Sequence, residues 1–137
     1  MKRRLIGSLC VLLLLSLLPI ACVSEGEDTV RLARVLYTLC REEDDHTMMK
    51  MGSVIMNRVE SPWFPDTLSG VLSQAQQFPC GRRYDARSLR AAQQLMDGAR
   101  ELPEEALYYR ALDASDTGAE AMWMETSGGY AFFGRAR

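Results

Sequence analysis

Apolar residues recur at helical spacing through the first two thirds of the chain. Leu32, Val35, Leu36 and Leu39 fall at i, i+3, i+4 and i+7, the stripe of a helix lying on a core. The pattern predicts a helix capped by Asp28 or Thr29 and running to about Arg41. Glu42, Glu43, Asp44, Asp45 and His46 interrupt the stripe and read as a solvated connection. Asp45 or Thr47 can cap a second helix reaching about Val59, with Met48, Met51, Ile55 and Val59 inward. Gly52 inside it costs about 1 kcal/mol against alanine, a cost that a close backbone approach by another element would justify. Ser61, Pro62 and Pro65 break the period around Trp63 and Phe64. Asp66 can cap a short helix over roughly 67–73, and Gln74 to Arg83 read as a loop. Asp85 opens a fourth helix with Leu89, Ala92 and Leu95 inward, ended by Gly98.

After Pro103 the period changes. Ala106 to Ala111 and Tyr130 to Gly134 read as strands, with another around Met122 to Met124 and a turn at Ser127-Gly128-Gly129. A helical lobe followed by a small antiparallel β lobe is class α+β.

The N-terminus follows a different pattern. Lys2, Arg3 and Arg4 precede an apolar run from Leu5 to Ile20, broken by Pro19 and followed by Ala21 and Ser24. This is the order of a secretory signal over residues 1–24, with cleavage near Ser24 or Gly26. The run is shorter than the roughly 20 residues of a membrane span. An uncleaved signal that serves as a membrane anchor is the alternative, and a lipoprotein acylated at Cys22 is a weaker one, since Pro19 stands where the lipobox has an aliphatic residue. The 137 residues bound the rest to one small domain, and a net charge of −2 gives no pull toward nucleic acid. Cleavage would leave Cys40 and Cys80, which can form a bridge in an exported domain or stay as two free thiols. Closing that loop of about 40 residues would be worth roughly 3–4 kcal/mol.

Several segments together resemble the SleB-type cell-wall hydrolases. They are Leu32 to Tyr37, Met51 to Val59 with its Asn57-Arg58-Val59, and Ser61-Pro62 with Phe64-Pro65-Asp66-Thr67. Gly70-Val71-Leu72, Gln77-Phe78, Ala106 to Tyr109, and Gly128-Gly129 with Phe132-Phe133 complete the set. The resemblance runs over residues 30–134. It implies a lysozyme-related, two-lobed domain of about four helices and a small antiparallel sheet, with a cleft between the lobes. It implies action on peptidoglycan glycan strands, in the cell envelope or the spore cortex, by a chemistry like lytic transglycosylation. One carboxylic acid protonates the glycosidic oxygen and the sugar's own hydroxyl closes the ring, with no metal or cofactor. Ordinary glycosidases need two carboxylates.

The family's acid falls two residues after the position of Tyr37, and the spacing to Asn57-Arg58-Val59 fits without a gap. That position is Leu39, already on the inward stripe, and a leucine donates no proton. Glu42 and Glu43, three and four residues on, are the substitute candidates, although Glu43 matches a second family glutamate and both can equally form a solvated turn. One helical turn is about 5.4 Å along the axis. Gln77, Phe78, Tyr109 and Tyr130 are the expected substrate-binding residues; Tyr130 stands where relatives often carry histidine. Trp63 and Trp123 can also serve as sugar platforms or as core. His46, alone, is a poor metal ligand. The resemblance also places the Gln77-Phe78 loop near the first helix, favouring a Cys40–Cys80 bridge. Three functions remain: an enzyme using Glu43 or Glu42; an inactive relative binding peptidoglycan or a partner envelope enzyme; and a small anchored envelope protein.

Overall fold

The structure, a computed structural model, describes residues 26–114 and 121–135. The expected signal over residues 1–24 lies outside the described residues. Among those described, no helix is long and apolar enough to cross a membrane. Four helices are followed by three strands: α1 (Glu27–Cys40), α2 (Asp45–Glu60), α3 (Leu68–Leu72), α4 (Ala86–Met96), β1 (Ala106–Ala111), β2 (Ala121–Ser127) and β3 (Tyr130–Arg135). The class is α+β, as the periodicity predicts.

The helix caps differ from expectation by two residues at α1 and by one at α2 and α3. Gly26, without a side-chain cap, precedes α1, so Asp28 lies in the first turn and not at the cap. There a carboxylate still favours the positive end of the helix dipole. Asp44 caps α2, taking the N–H of Thr47 at 2.7 Å, where Asp45 or Thr47 was expected. Thr67 and not Asp66 caps α3. Asp85 caps α4 as expected, in a reciprocal box with Ser88.

α2 is the central helix. From Thr47 to Arg58 every residue except Lys50 is buried, because α1, α3, α4 and β1 all pack on it. Gly52 permits the α4 contact: a Cβ there would lie 2.1 Å from Leu95 Cδ1. This is the close approach that its place inside a helix implied. The Asn57 amide ties α2 to the sheet, donating to Pro103 O at 2.8 Å and Ala106 O at 3.1 Å.

The sheet order is β1-β3-β2, antiparallel throughout. β3 is therefore central, with Phe132 fully buried against the helices. Tyr130 pairs with Ala111 on one side and Ser127 on the other, at the end of the sheet facing the α1–α2 connection. Arg135 marks the opposite end.

Candidate active-site cleft

The cleft is built where the C-terminus of α1 meets the β2–β3 turn. The last carbonyls of a helix lack partners within it. Here the Leu39 carbonyl accepts the Tyr130 hydroxyl at 2.7 Å. Arg87 of α4 satisfies the rest, donating to Cys40 O at 3.1 Å, Arg41 O at 2.9 Å and Glu43 O at 2.6 Å. The connection is thus held in one conformation by a side chain from another helix. Leu39 itself is half-buried against the core, as its place on the stripe predicts.

From that connection Glu43 reaches across to the β2–β3 turn. The Gly129 N–H lies 3.2 Å from each of its carboxylate oxygens. The approach requires glycine: a Cβ on Gly128 would lie 2.0 Å from Glu43 Oε2, and one on Gly129 2.9 Å from Oε1. Gly128 also has φ 55°, which side chains with a Cβ disfavour. Beside this contact the Thr47 and Ser127 hydroxyls are 2.7 Å apart. Glu43 and Tyr130, with Ala111, Leu112, Asp113 and Gly129, line a hollow of about 370 Å³. Glu42 points away. It is exposed and paired only with Arg41, at 3.4 Å.

An aromatic row runs from Tyr130 at the cleft into the core, where Phe78, expected to bind substrate, is 5% exposed. Phe78 stacks on Tyr109 with centroids 5.6 Å apart, and Tyr109 meets Tyr130 edge-on at 5.9 Å. The Tyr109 hydroxyl donates to Gln77 O. Burial pushes the Tyr130 phenol up to about 12, with Cys40 adding to the shift, and burial also raises Tyr109. Both rings therefore stay protonated donors at neutral pH. Four expected substrate-binding residues, Gln77, Phe78, Tyr109 and Tyr130, and Glu43 form one connected set. Glu42 does not join it.

Arg58 organises this set, a role that sequence reasoning missed. It is 2% exposed and donates to Leu107 O at 2.7 Å, Gln74 Oε1 at 3.2 Å and Gln77 Oε1 at 3.2 and 3.3 Å. Its guanidinium also lies over Phe64, Phe78 and Tyr108, at 4.7, 5.0 and 5.6 Å from the ring centroids. Burial lowers its pKa and the nearby tyrosines oppose that. The signal was a charged residue inside an apolar stretch of helix, between Ile55 and Val59. Gln76, next to Gln77, holds φ 60°, a strained backbone of the kind that gathers at binding loops.

The bridge expected between Cys40 and Cys80 is not formed, and both are free thiols. The loop does reach α1, but on the wrong face: Gly81 N donates to Thr38 Oγ1 at 3.1 Å. Two residues on a helix are about 200° apart around the axis. Cys40 therefore points into the core while Cys80 stays exposed. Burial, with Glu43 adding, pushes the Cys40 thiol up to about 12. His46 sits outside the cleft, its Nδ1 3.0 Å from Glu101 Oε2.

The end of α1 and the glycine turn of an α+β domain thus frame a hollow lined by the Glu43 carboxylate and Tyr130. The chain belongs to the Cell Wall Hydrolase family, whose sequence model matches residues 42–133. Its matched part begins three residues after Leu39. Two solved structures share the fold. The catalytic domain of the Bacillus cereus SleB protein is 24% identical with a TM-score of 0.70, over 77% of this chain and 88% of that one. The catalytic domain of the germination-specific lytic transglycosylase SleB from Bacillus anthracis is 23% identical, also with a TM-score of 0.70. That match covers 84% of this chain and 98% of that one. No curated protein matches the chain.

Proposed function

We propose that this chain binds the glycan strands of peptidoglycan in the cleft between the α1–α2 connection and the sheet, and does not cleave them. The observation that carries this reading is the pairing of Glu43 with Gly129. Glu43, reaching from the α1–α2 connection to the sheet, takes the Gly129 N–H with both its oxygens, and the position that the family resemblance gives to the acid is Leu39. Tyr130, Tyr109 and Gln77 supply rings and polar atoms suited to sugars. Export by a signal over residues 1–24, ahead of a domain over 30–134, would bring it to the cell envelope. A partner envelope enzyme could share the bound strand.

A second reading is favoured by the hollow in front of Glu43. There the carboxylate stands beside Asp113 and Tyr130, and lytic transglycosylation, the activity named for the Bacillus anthracis relative, needs only one acid. Incubation of the mature protein with peptidoglycan, followed by mass spectrometry for anhydro-muropeptides, separates the two. The binding reading expects retention on insoluble peptidoglycan and no such product. Products that vanish in Glu43→Gln would overturn it. Anhydro products in Leu39→Glu, absent from the parent, would locate the lost acid.

A further inference from the structure

A second groove lies at the far end of the sheet from Glu43. Its walls are the turn after α2 and the segment entering β1, with Trp63, Glu60, Glu104, Glu105 and Arg135 facing it and Leu107 below. Its volume is about 570 Å³, within the range of ligand clefts. Trp63 is 65% exposed at its edge. The Arg135 guanidinium sits 3.7 Å from the centre of the Trp63 ring, which fixes the indole by a cation–π contact. Glu60 is anchored by Arg100 at 2.7 Å, while Glu104 and Glu105 are exposed.

We propose that this groove is a second glycan-binding site, taking a sugar unit of a peptidoglycan strand. The proposal rests on the glycan-binding reading above. With Arg135 over one face, the exposed indole has its other face to offer to the apolar side of a pyranose ring. Carboxylates around it accept hydrogen bonds from sugar hydroxyls. A large exposed aromatic in a formed groove is the informative exception on a protein surface. Tyr130 and Arg135 begin and end β3, roughly 17 Å apart along the strand, and the alternation of side chains sets them on opposite faces of the sheet. Two weak contacts with one cross-linked glycan network, each taking a different strand, raise retention above either alone.

The chain holds two tryptophans, Trp63 and Trp123, so Trp123→Phe leaves Trp63 as the sole reporter. Its emission is followed while soluble oligomers of N-acetylglucosamine and N-acetylmuramic acid are added. In parallel, retention on insoluble peptidoglycan is compared for the parent and Trp63→Ala. The expected result is a saturable emission change and retention weakened about tenfold in Trp63→Ala, with an unchanged unfolding midpoint. Unchanged emission with equal retention of both proteins overturns the groove and leaves the cleft reading standing. Unchanged emission with no retention of the parent overturns both.

Discussion

Glu43 and Gly129, far apart in sequence, are joined by one backbone N–H that lies 3.2 Å from each carboxylate oxygen. This contact closes the α1–α2 connection onto the β2–β3 turn. Replacing Glu43 with alanine removes a charge-assisted acceptor at a half-exposed site. Stability should fall by about 1 kcal/mol, read as a lower urea midpoint with an unchanged slope. Glu43→Gln, which keeps an acceptor, should lose less.

Gly128 shares that contact and has a positive φ of 55°. Gly128→Ala would add backbone strain and drive a methyl into the Glu43 carboxylate. A loss of about 1–3 kcal/mol is expected, measured by denaturant unfolding. In a Glu43→Ala background the penalty should shrink, because the strain and a closer contact with Thr47 Oγ1, at 3.0 Å, are what is left.

Arg58→Lys should be costly although the charge is kept. A lysine cannot reproduce the fork that reaches Leu107 O, Gln74 and Gln77 together, nor cover the three rings. The expected loss is about 2–4 kcal/mol. Retention on peptidoglycan should fall more than global unfolding explains, because Gln77 is released from its position.

Tyr130 gives an alkaline signature. Its phenol is pushed up from 10.0 to about 12 in the folded protein. Between those values the unfolded chain loses the proton that the folded one keeps, so stability falls as pH rises through that window. Below pH 10 the contribution is constant. Tyr130→Phe should flatten the fall in unfolding midpoint over this window, leaving a smaller slope from Tyr109, which is raised by burial as well.

The free thiols should react unequally. In a chain begun at residue 25, a thiol reagent at neutral pH should label Cys80 rapidly and Cys40 only on unfolding. Cys40 is fully buried, with its thiol pushed up to about 12. Intact mass before and after denaturation counts the labels; a disulfide would give none in either state.

Much of the fold was legible because it is written in local periodicity. The stripe from Leu32 to Leu39 and the change of period into Ala106–Ala111 each match an element of the structure. The cap errors at α2 and α3 are of one residue, since neighbouring Asp and Thr side chains offer nearly equal caps and only the chain's entry angle selects between them. The candidate site was legible as residue types, but not as contacts. Gln77, Phe78, Tyr109 and Tyr130 were expected to bind substrate, and the structure brings them into one row. The role of Arg58 was missed because its partners lie in the 74–77 loop and on β1, beyond any helical spacing.

The sequence by itself determined the α+β class, the inward position of Leu39 and the need for a close neighbour at Gly52. Each of these follows from side-chain size and period within a single element. Only the tertiary structure decided that Glu43 meets Gly129 while Glu42 faces solvent, and that Cys40 and Cys80 stay apart. Those outcomes depend on the rotation of α1 about its axis and on the Arg87 clamp at its end, which come from packing between elements and leave no mark on local pattern.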